Sequence, residues 1–343
     1  MNDENQTKLA ANLRAIVQRS PLVRRMYRLL LGLNEGQKAW LFQSSTLRWL
    51  GDEKLRSQLP ESFQLFGKFC SAQLGFPGPI VGSAVAFRIA QSHYLSNRGG
   101  SIRLKIDDAV IHLNPKDPRM LQVPRELRKM SKNGSILNQL LAKGDTFIDI
   151  GANHGAFSVA ASKFVGDSGH IYAFEPQPEL YPLIEKSLEA SGAANFRVFS
   201  DACSDQEGRA QFFVPAESSG SAGLFKGLSG DEKHQHFEVD LVRLDDIIED
   251  QEINGEVLIK LDVEGNELAV LRGATRFIQR VRPRLLMEIN PAAMEAAAST
   301  TEEMVELLED VGYRYFRRLE DPDHTHLLRS LKTDHYGDIV LEA

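Results

Sequence analysis

The segment Asp145-Thr-Phe-Ile-Asp-Ile-Gly-Ala-Asn-His-Gly155 constrains the fold of this chain more than any other. Phe147, Ile148 and Ile150 form a short apolar run of β-favouring residues, as expected of a strand covered on both faces. The run stops at Gly151 and Gly155, and Ala156 to Phe164 continues with helical character. Strand, glycine turn and helix make the first crossover of a doubly wound sheet, which binds ligands beyond the carboxyl ends of its strands. Gly169 to Phe174 predicts the next strand and carries Glu175 to its end. An acidic residue there, about 20 residues after the glycine turn, suits hydrogen bonding to a ribose diol.

The spacing of the turn separates two classes of cofactor. A dinucleotide fingerprint reads Gly-x-Gly-x-x-Gly, with the middle glycine clearing space for a pyrophosphate. Here Asn153 takes the middle position and Asp149 precedes the turn. S-adenosylmethionine (SAM) carries no phosphate but has a methionine ammonium, which an acidic turn attracts, so SAM fits this turn better than NAD. Glycine turns after strands are common, and the stretch alone also fits an α/β protein without a nucleotide.

The remainder of the chain supports this architecture. Phe196 to Ser200, Val257 to Leu261, Arg284 to Ile289, Tyr313 to Arg317 and Asp338 to Glu342 read as further strands. Helical segments alternate with them at Pro176 to Ala190, Asn266 to Ile278 and Thr301 to Val311. The pattern predicts an α/β fold: a doubly wound, mostly parallel, seven-stranded Rossmann-like sheet, its last strand antiparallel. Gln211 to Val214 and Phe237 to Leu241 add two short strands around the Gly- and Ser-rich stretch Ala216 to Gln235. Ile102 to Leu113 reads as a β-hairpin turning at Asp107-Asp108, and Leu121 to Leu141 as one or two helices.

Residues 1–100 form a separate N-terminal region of helical pattern, leaving residues 101–343 for the α/β domain. Ser20-Pro21 reads as a helix cap with a first-turn proline, followed by Leu22, Met26, Leu29 and Leu30 on one side and Arg24, Arg25 and Arg28 elsewhere. A basic amphipathic helix of this kind packs on its own protein or a sister subunit, or lies on an anionic membrane surface. The region suits a cap over the acceptor pocket or a homo-oligomer contact, with peripheral membrane attachment as the second expectation.

Candidate chemistry lies on two neighbouring strands. Lys260, Asp262 and Glu264 fall at i, i+2 and i+4, which a strand would point to one side; Glu288 and Asn290 share a side with Arg284. Buried charges of this kind are costly unless paired or placed at a solvated strand end. A structural Lys260–Asp262 ion pair satisfies that rule; carboxylates facing a substrate at the carboxyl edge satisfy it as well. Asp262, Glu264 and Glu288 are therefore the catalytic candidates, and their oxygens suit hydroxyls, a general base or Mg²⁺ held by Asp262 and Glu288. His154 lies in the cofactor turn, His234 and His236 border the Gly- and Ser-rich loop, and Cys203 reads as packing.

With 343 residues, 42% hydrophobic and 25% charged, the chain has the composition of a soluble globular protein. A net charge of −7 argues against a general nucleic-acid binder. Charge is uneven: residues 1–60 hold ten Lys and Arg against five Asp and Glu, which leaves −12 on residues 61–343. Two cysteines, Cys70 and Cys203, make no disulfide framework. With no apolar run near the length of a membrane span and a polar start, the sequence predicts a cytoplasmic protein.

Taken together the segments resemble the FkbM-type methyltransferases, a SAM-dependent family with the class I methyltransferase fold. The matching words are Phe147-Ile-Asp-Ile-Gly-Ala-Asn-His-Gly155, Ala173-Phe-Glu-Pro176, Leu244-Asp-Asp246 and Ile259-Lys-Leu-Asp-Val-Glu-Gly-Asn-Glu-Leu268. Val270-Leu-Arg-Gly-Ala274 and Arg282-Pro283 through Glu288 extend the likeness, which covers about residues 110–343. His154 stands where an apolar residue is usual. The resemblance implies O-methylation of a hydroxyl on a secondary metabolite, sugar or glycolipid, a small or lipid-linked acceptor. It implies that Asp149, Gly151 and Gly155, with Asn153 in the same turn, hold the methionine end of SAM. It also implies that Glu175 takes the ribose hydroxyls and that Asp201, with the Ala202 amide, takes the adenine. An N-methyltransferase, a nucleic-acid modifier and a non-catalytic SAM- or partner-binding protein are the competing readings; the acidic core weighs against the nucleic-acid modifier.

Overall fold

The structure, a computed structural model, describes Gln58 and residues 100–215, 219–225 and 234–342, the side chains of Pro118, Leu121 and His234 apart. The helices expected in residues 1–99 and most of the Gly- and Ser-rich stretch lie outside the described residues. The chain divides into two compact units, residues 1–106 with 113–125, and residues 107–112 with 126–343.

Strand β1 (Ile102–Ile106) alternates buried Ile102, Leu104 and Ile106 with exposed Arg103 and Lys105, the period-two pattern of a half-covered strand. Strand β2 (Ala109–Leu113) follows the expected turn, where Asp107 adopts a left-handed φ of 54°. Helices α1 (Val123–Met130) and α2 (Ile136–Leu140) lead to the central strand β3 (Thr146–Ile150). Ser135 caps α2 by accepting from the Asn138 amide. All five residues of β3 are buried, as its apolar run requires.

The second unit then alternates α3 (Ala156–Val165), β4 (His170–Phe174), α4 (Tyr181–Ala190) and β5 (Phe196–Phe199). A three-stranded insertion follows: β6 (Ala202–Cys203), β7 (Gly208–Pro215) and β8 (His234–Val242), ordered β6-β8-β7. The short strands expected at 211–214 and 237–241 are the middles of β7 and β8, whose antiparallel ladder runs from Gly208 and Leu241 to Pro215 and His234. Next come α5 (Leu244–Ile247), β9 (Val257–Leu261), α6 (Glu267–Gly273), α7 (Thr275–Val281) and β10 (Arg284–Ile289). The unit closes with α8 (Pro291–Ala296), α9 (Thr301–Asp310), β11 (Tyr315–Arg318), β12 (Asp321–Leu327) and β13 (Gly337–Glu342).

The main sheet has the order β12-β11-β13-β10-β9-β3-β4-β5. Strands β10, β9, β3, β4 and β5 are parallel, and β13 enters antiparallel between β10 and β11. The sheet therefore has eight strands, where the sequence predicts seven. The additional one, β12, reads Asp-Pro-Asp-His-Thr-His-Leu and lacks an apolar alternation. It pairs only with β11, and an outermost strand tolerates proline and charge because one of its faces and one of its edges are wet.

One predicted helix is two. The run from Asn266 to Ile278 breaks at Ala274, where φ and ψ of −116° and 6° leave the helical region. The Asp245 carboxylate accepts from the amides of Arg276 and Phe277, at 3.1 and 2.7 Å, and so starts a new helix there. Ile148, Phe174, Leu261, Phe277, Met287, Tyr313 and Phe316 belong to one apolar core between sheet and helices.

Chain order reverses across the β3–β9 pair: β4 and β5 extend the sheet on one side, β9 and β10 on the other. Beyond the carboxyl ends at such a switch point, the connecting loops part and open a crevice.

Candidate functional site

At the switch point Asp149 of β3 stands in register with Lys260 of β9. Asp149 is wholly buried; its Oδ2 accepts from Ser158 Oγ at 2.6 Å and its Oδ1 lies 3.5 Å from Lys260 Nζ. Beyond it the glycine turn runs through left-handed φ values at Gly151 (81°), Asn153 (52°) and Gly155 (78°). Gly151 is required on two grounds. Its φ disfavours a side chain, and a Cβ there would stand 1.9 Å from the Asp262 carbonyl oxygen. The cofactor turn and the carboxylate-bearing strand end are thus in direct backbone contact.

Glu175 stands at the end of β4 and is buried. Its Oε2 accepts from the Asn153 amide at 2.7 Å and its Oε1 from the Gln177 amide at 2.9 Å. Burial pushes its carboxyl up to about 7, against the opposing pull of these two amides. The side chain of Asn153 donates to Ser219 Oγ at 2.9 Å and approaches His154 Nδ1 through its Oδ1 at 2.9 Å. His154 is therefore built into the turn. Ser219 follows β7, whose Phe213 bridges Gly223, so this segment folds back towards the turn. Between β5 and β6 Asp201 is half-buried, with its carboxyl raised by burial and by Asp240. Ala202 and Cys203 form β6, and burial raises the Cys203 thiol.

The second cluster forms where β9 and β10 end. Lys260 is 6% exposed; its ammonium lies 3.3 Å from Asp262 Oδ2 and donates to the Gly151 carbonyl at 3.4 Å. The Phe157 ring lies beneath it, 5.1 Å to the centroid. Burial alone would lower its pKa, but Asp262 and Asp149 outweigh burial and raise it, so the lysine stays charged.

Strand β9 stops at Leu261, and the expected strand spacing of Lys260, Asp262 and Glu264 does not hold. Glu264 takes a left-handed φ of 53° and Gly265 one of 104°, a turn that redirects the chain into α6. Glu267 fastens this turn: its Oε1 accepts from the Val263 and Gly265 amides at 3.1 and 3.3 Å. Carboxylate oxygens of Asp262, Glu264 and Glu288 nevertheless lie within 4.8 Å of one another. The turn, and not strand alternation, brings Glu264 to the group.

Glu288 is pushed up to about 7 by burial, then by Asp262, Asp338 and Glu267, with a Tyr336 hydrogen bond opposing. Asp338, its register partner on β13, is raised by burial and by Asp262, while Lys260 and Lys129 oppose. Tyr336 is 67% exposed, and its hydroxyl is raised first by the Glu288 charge. Sequence reasoning passed over Asp338, Tyr336 and Glu267. The antiparallel pairing of β13 with β10 marks Asp338 once that register is known; Tyr336 carries no sequence signal.

Two residues of the expected constellation have other roles. Asn290 caps α8, its Oδ1 accepting from the Ala293 amide at 3.2 Å, so it is committed to helix initiation. Arg284, at the opposite end of β10, donates to the Leu140 carbonyl at 2.6 Å and is remote from the carboxyl edge. His236 is exposed on β8 with its ring centroid 6.3 Å from that of Phe213, and the His234 side chain lies outside the described residues.

The fold has the form of a methyltransferase domain, and comparison with known proteins agrees. Residues 149–315 match the methyltransferase FkbM domain. The resemblance carried by the sequence words therefore holds. Among solved structures, an FkbM methyltransferase of Methylobacillus flagellatus shares 14% identity. The match covers 79% of this chain and 64% of that one, under two thirds of its length, with a TM-score of 0.38. A SAM-dependent methyltransferase of Aquifex aeolicus shares 17% identity over 66% of this chain and 95% of that one, with a TM-score of 0.34. No protein with a curated description matches the sequence.

Proposed function

We propose that this protein transfers the methyl group of SAM to a hydroxyl of a small or lipid-linked polar acceptor held against Asp262, Glu264 and Glu288. The observation that carries the reading is the contact of Gly151 with the Asp262 carbonyl, which joins the cofactor turn to the three-carboxylate edge. The residues fit such a cofactor. The left-handed glycines leave space that side chains would fill, and Glu175 keeps acceptor capacity for ribose hydroxyls after receiving two amides. Asp149, Gly151, Asn153 and Gly155 would hold the methionine end, and Asp201 with Ala202 the adenine. When bound, SAM supplies an electrophilic methyl on a sulfonium, so the protein has to position the acceptor oxygen and remove one proton.

Glu288 suits the second task, because a base works best when its pKa lies near the operating pH. The acceptor O–H would donate to the Glu288 carboxylate, which would take its proton, while SAM would supply the methyl group and leave as the thioether S-adenosylhomocysteine. Lys260 fixes Asp262 by an ion pair, and Asp262 with Glu264 receives neighbouring hydroxyls. The same three carboxylates also offer the oxygen ligands that Mg²⁺ uses, through Asp262 and Glu288.

The test is methyl transfer from labelled SAM to extract fractions, with the product identified. Glu288→Gln and Asp262→Asn are expected to lower turnover by tenfold or more while SAM affinity stays within twofold. Wild-type turnover in both variants would remove the carboxylates from the chemistry. An N-methylated product would change the acceptor class, and loss of activity in excess chelator would assign the edge to Mg²⁺.

A further inference from the structure

Beside the carboxylate edge, and outside the residues assigned so far, the second unit has a cleft of about 330 Å³ between the α1–α2 connection and the β11–β12 turn. That volume falls at the low end of the roughly 300–1,000 Å³ typical of small-molecule sites. Among the described residues its lining includes Lys129, Lys132, Asn133 and Gln139 and no aspartate or glutamate, in a chain of net charge −7. Arg209, Arg243, Arg276, Arg317, Arg329 and Lys260 of this unit each have a carboxylate within 4 Å. The ammonium groups of Lys129 and Lys132 have none among the described residues.

The cleft adjoins the reaction edge through one residue. Leu319, on its wall, donates its amide to the Asp338 carbonyl at 3.0 Å, and Asp338 is the register partner of Glu288. Lys129 is also the cleft cation whose charge reaches the Asp338 carboxyl. A negative edge and a positive cleft therefore stand side by side. An anionic molecule is repelled by Asp262, Glu264, Glu288 and Asp338 unless its charge lies over the lysines. Charge complementarity of this sort sets orientation and selectivity more than raw affinity.

We propose that this cleft is the subsite for a negatively charged group on the acceptor, a carboxylate or phosphate carried by a hydroxylated molecule of sugar size, whose hydroxyl then points to the carboxylate edge. The acceptor role rests on the methyl-transfer reading above; the anion site rests on the cleft alone. Lys129 and Lys132 select for the charged molecule and exclude its neutral counterpart.

The experiment is calorimetry on the full chain with S-adenosylhomocysteine present, at low and high salt. Glucuronate, glucose 6-phosphate, methyl glucoside and inorganic phosphate are the probes. One or both charged sugars are expected to bind at least tenfold tighter than methyl glucoside. The gap should narrow as salt rises. Whichever charged sugar is preferred identifies the carboxylate or the phosphate. The double variant Lys129→Gln with Lys132→Gln should close the gap while S-adenosylhomocysteine affinity and Tm remain unchanged. Equal binding of charged and neutral sugars, no binding of any charged probe, or a gap that survives the double variant overturns the proposal. Phosphate binding as tightly as glucose 6-phosphate rejects the sugar-sized acceptor. Lysine-dependent anion binding without S-adenosylhomocysteine binding would instead sink the methyl-transfer reading and leave an anion site.

Discussion

Lys260 decides two things at once, because its ammonium is shared by Asp149 in the cofactor turn and Asp262 at the acceptor edge. Removing one partner of a buried ion pair leaves the other charge uncompensated, at a cost of about 3–5 kcal/mol. Lys260→Met should therefore lower unfolding free energy by an amount in that range, read by urea denaturation. Adding Asp149→Asn should recover part of it, since the two losses are not independent. Additive losses would show that the pair is not coupled. Glu288 behaves in the opposite sense. Its folded pKa, about 7, lies above the ordinary glutamate value, so the native state binds the extra proton. Ionised Glu288 is then destabilising: the penalty is full above pH 7, shrinks as pH falls through 7 and is absent below the unfolded pKa. Glu288→Gln should accordingly stabilise the protein at pH 8, by about 1 kcal/mol once discounted for its solvent exposure, and have little effect near pH 4. The same change should abolish a rise in turnover across pH 7. Equal stability shifts at both pH values would refute this account.

At the scale of elements, legibility followed burial. β3, β4, β9 and β10 were readable because each is an apolar run covered on both faces, and α9 because Thr300 and Glu303 form a capping box. β12 was not readable, since a wet outer strand needs no apolar alternation. The α6–α7 break was missed because its cause, Asp245, lies some thirty residues upstream. In the site, Asp262 and Glu288 follow from strand ends, but Glu264 arrives through a left-handed turn and Asp338 through an antiparallel register that sequence spacing does not contain. Asp245 also shows that a residue within a family word can serve architecture. Asp245→Ala should cost about 0.5–2 kcal/mol as a lost helix cap. It should leave SAM affinity unchanged in calorimetry, whereas weakened binding at full stability would give Asp245 a place in the site.

For the whole molecule the decisive contrast is charge: +5 on residues 1–60 against −12 on the rest. Among the described residues no helix is long and apolar enough to cross a membrane. The glycine turn and the carboxylate edge both lie in the second unit, and we expect SAM binding without the N-terminal sequence. Leu22, Met26, Leu29, Trp40 and Phe66 nevertheless give that sequence more apolar surface than a solvated tail carries. A basic, apolar segment joined to an acidic domain has two outlets for its charge, the domain of a sister copy or an anionic surface, and both weaken with salt. Deleting residues 1–75 separates them. We expect SAM affinity to persist while solution mass or acceptor turnover falls, which assigns the region to subunit contact or to the acceptor pocket. Unchanged mass and turnover with loss of binding to anionic vesicles would assign it to a membrane surface instead. Loss of SAM binding in a variant that still folds cooperatively would place the N-terminal sequence within the cofactor site itself.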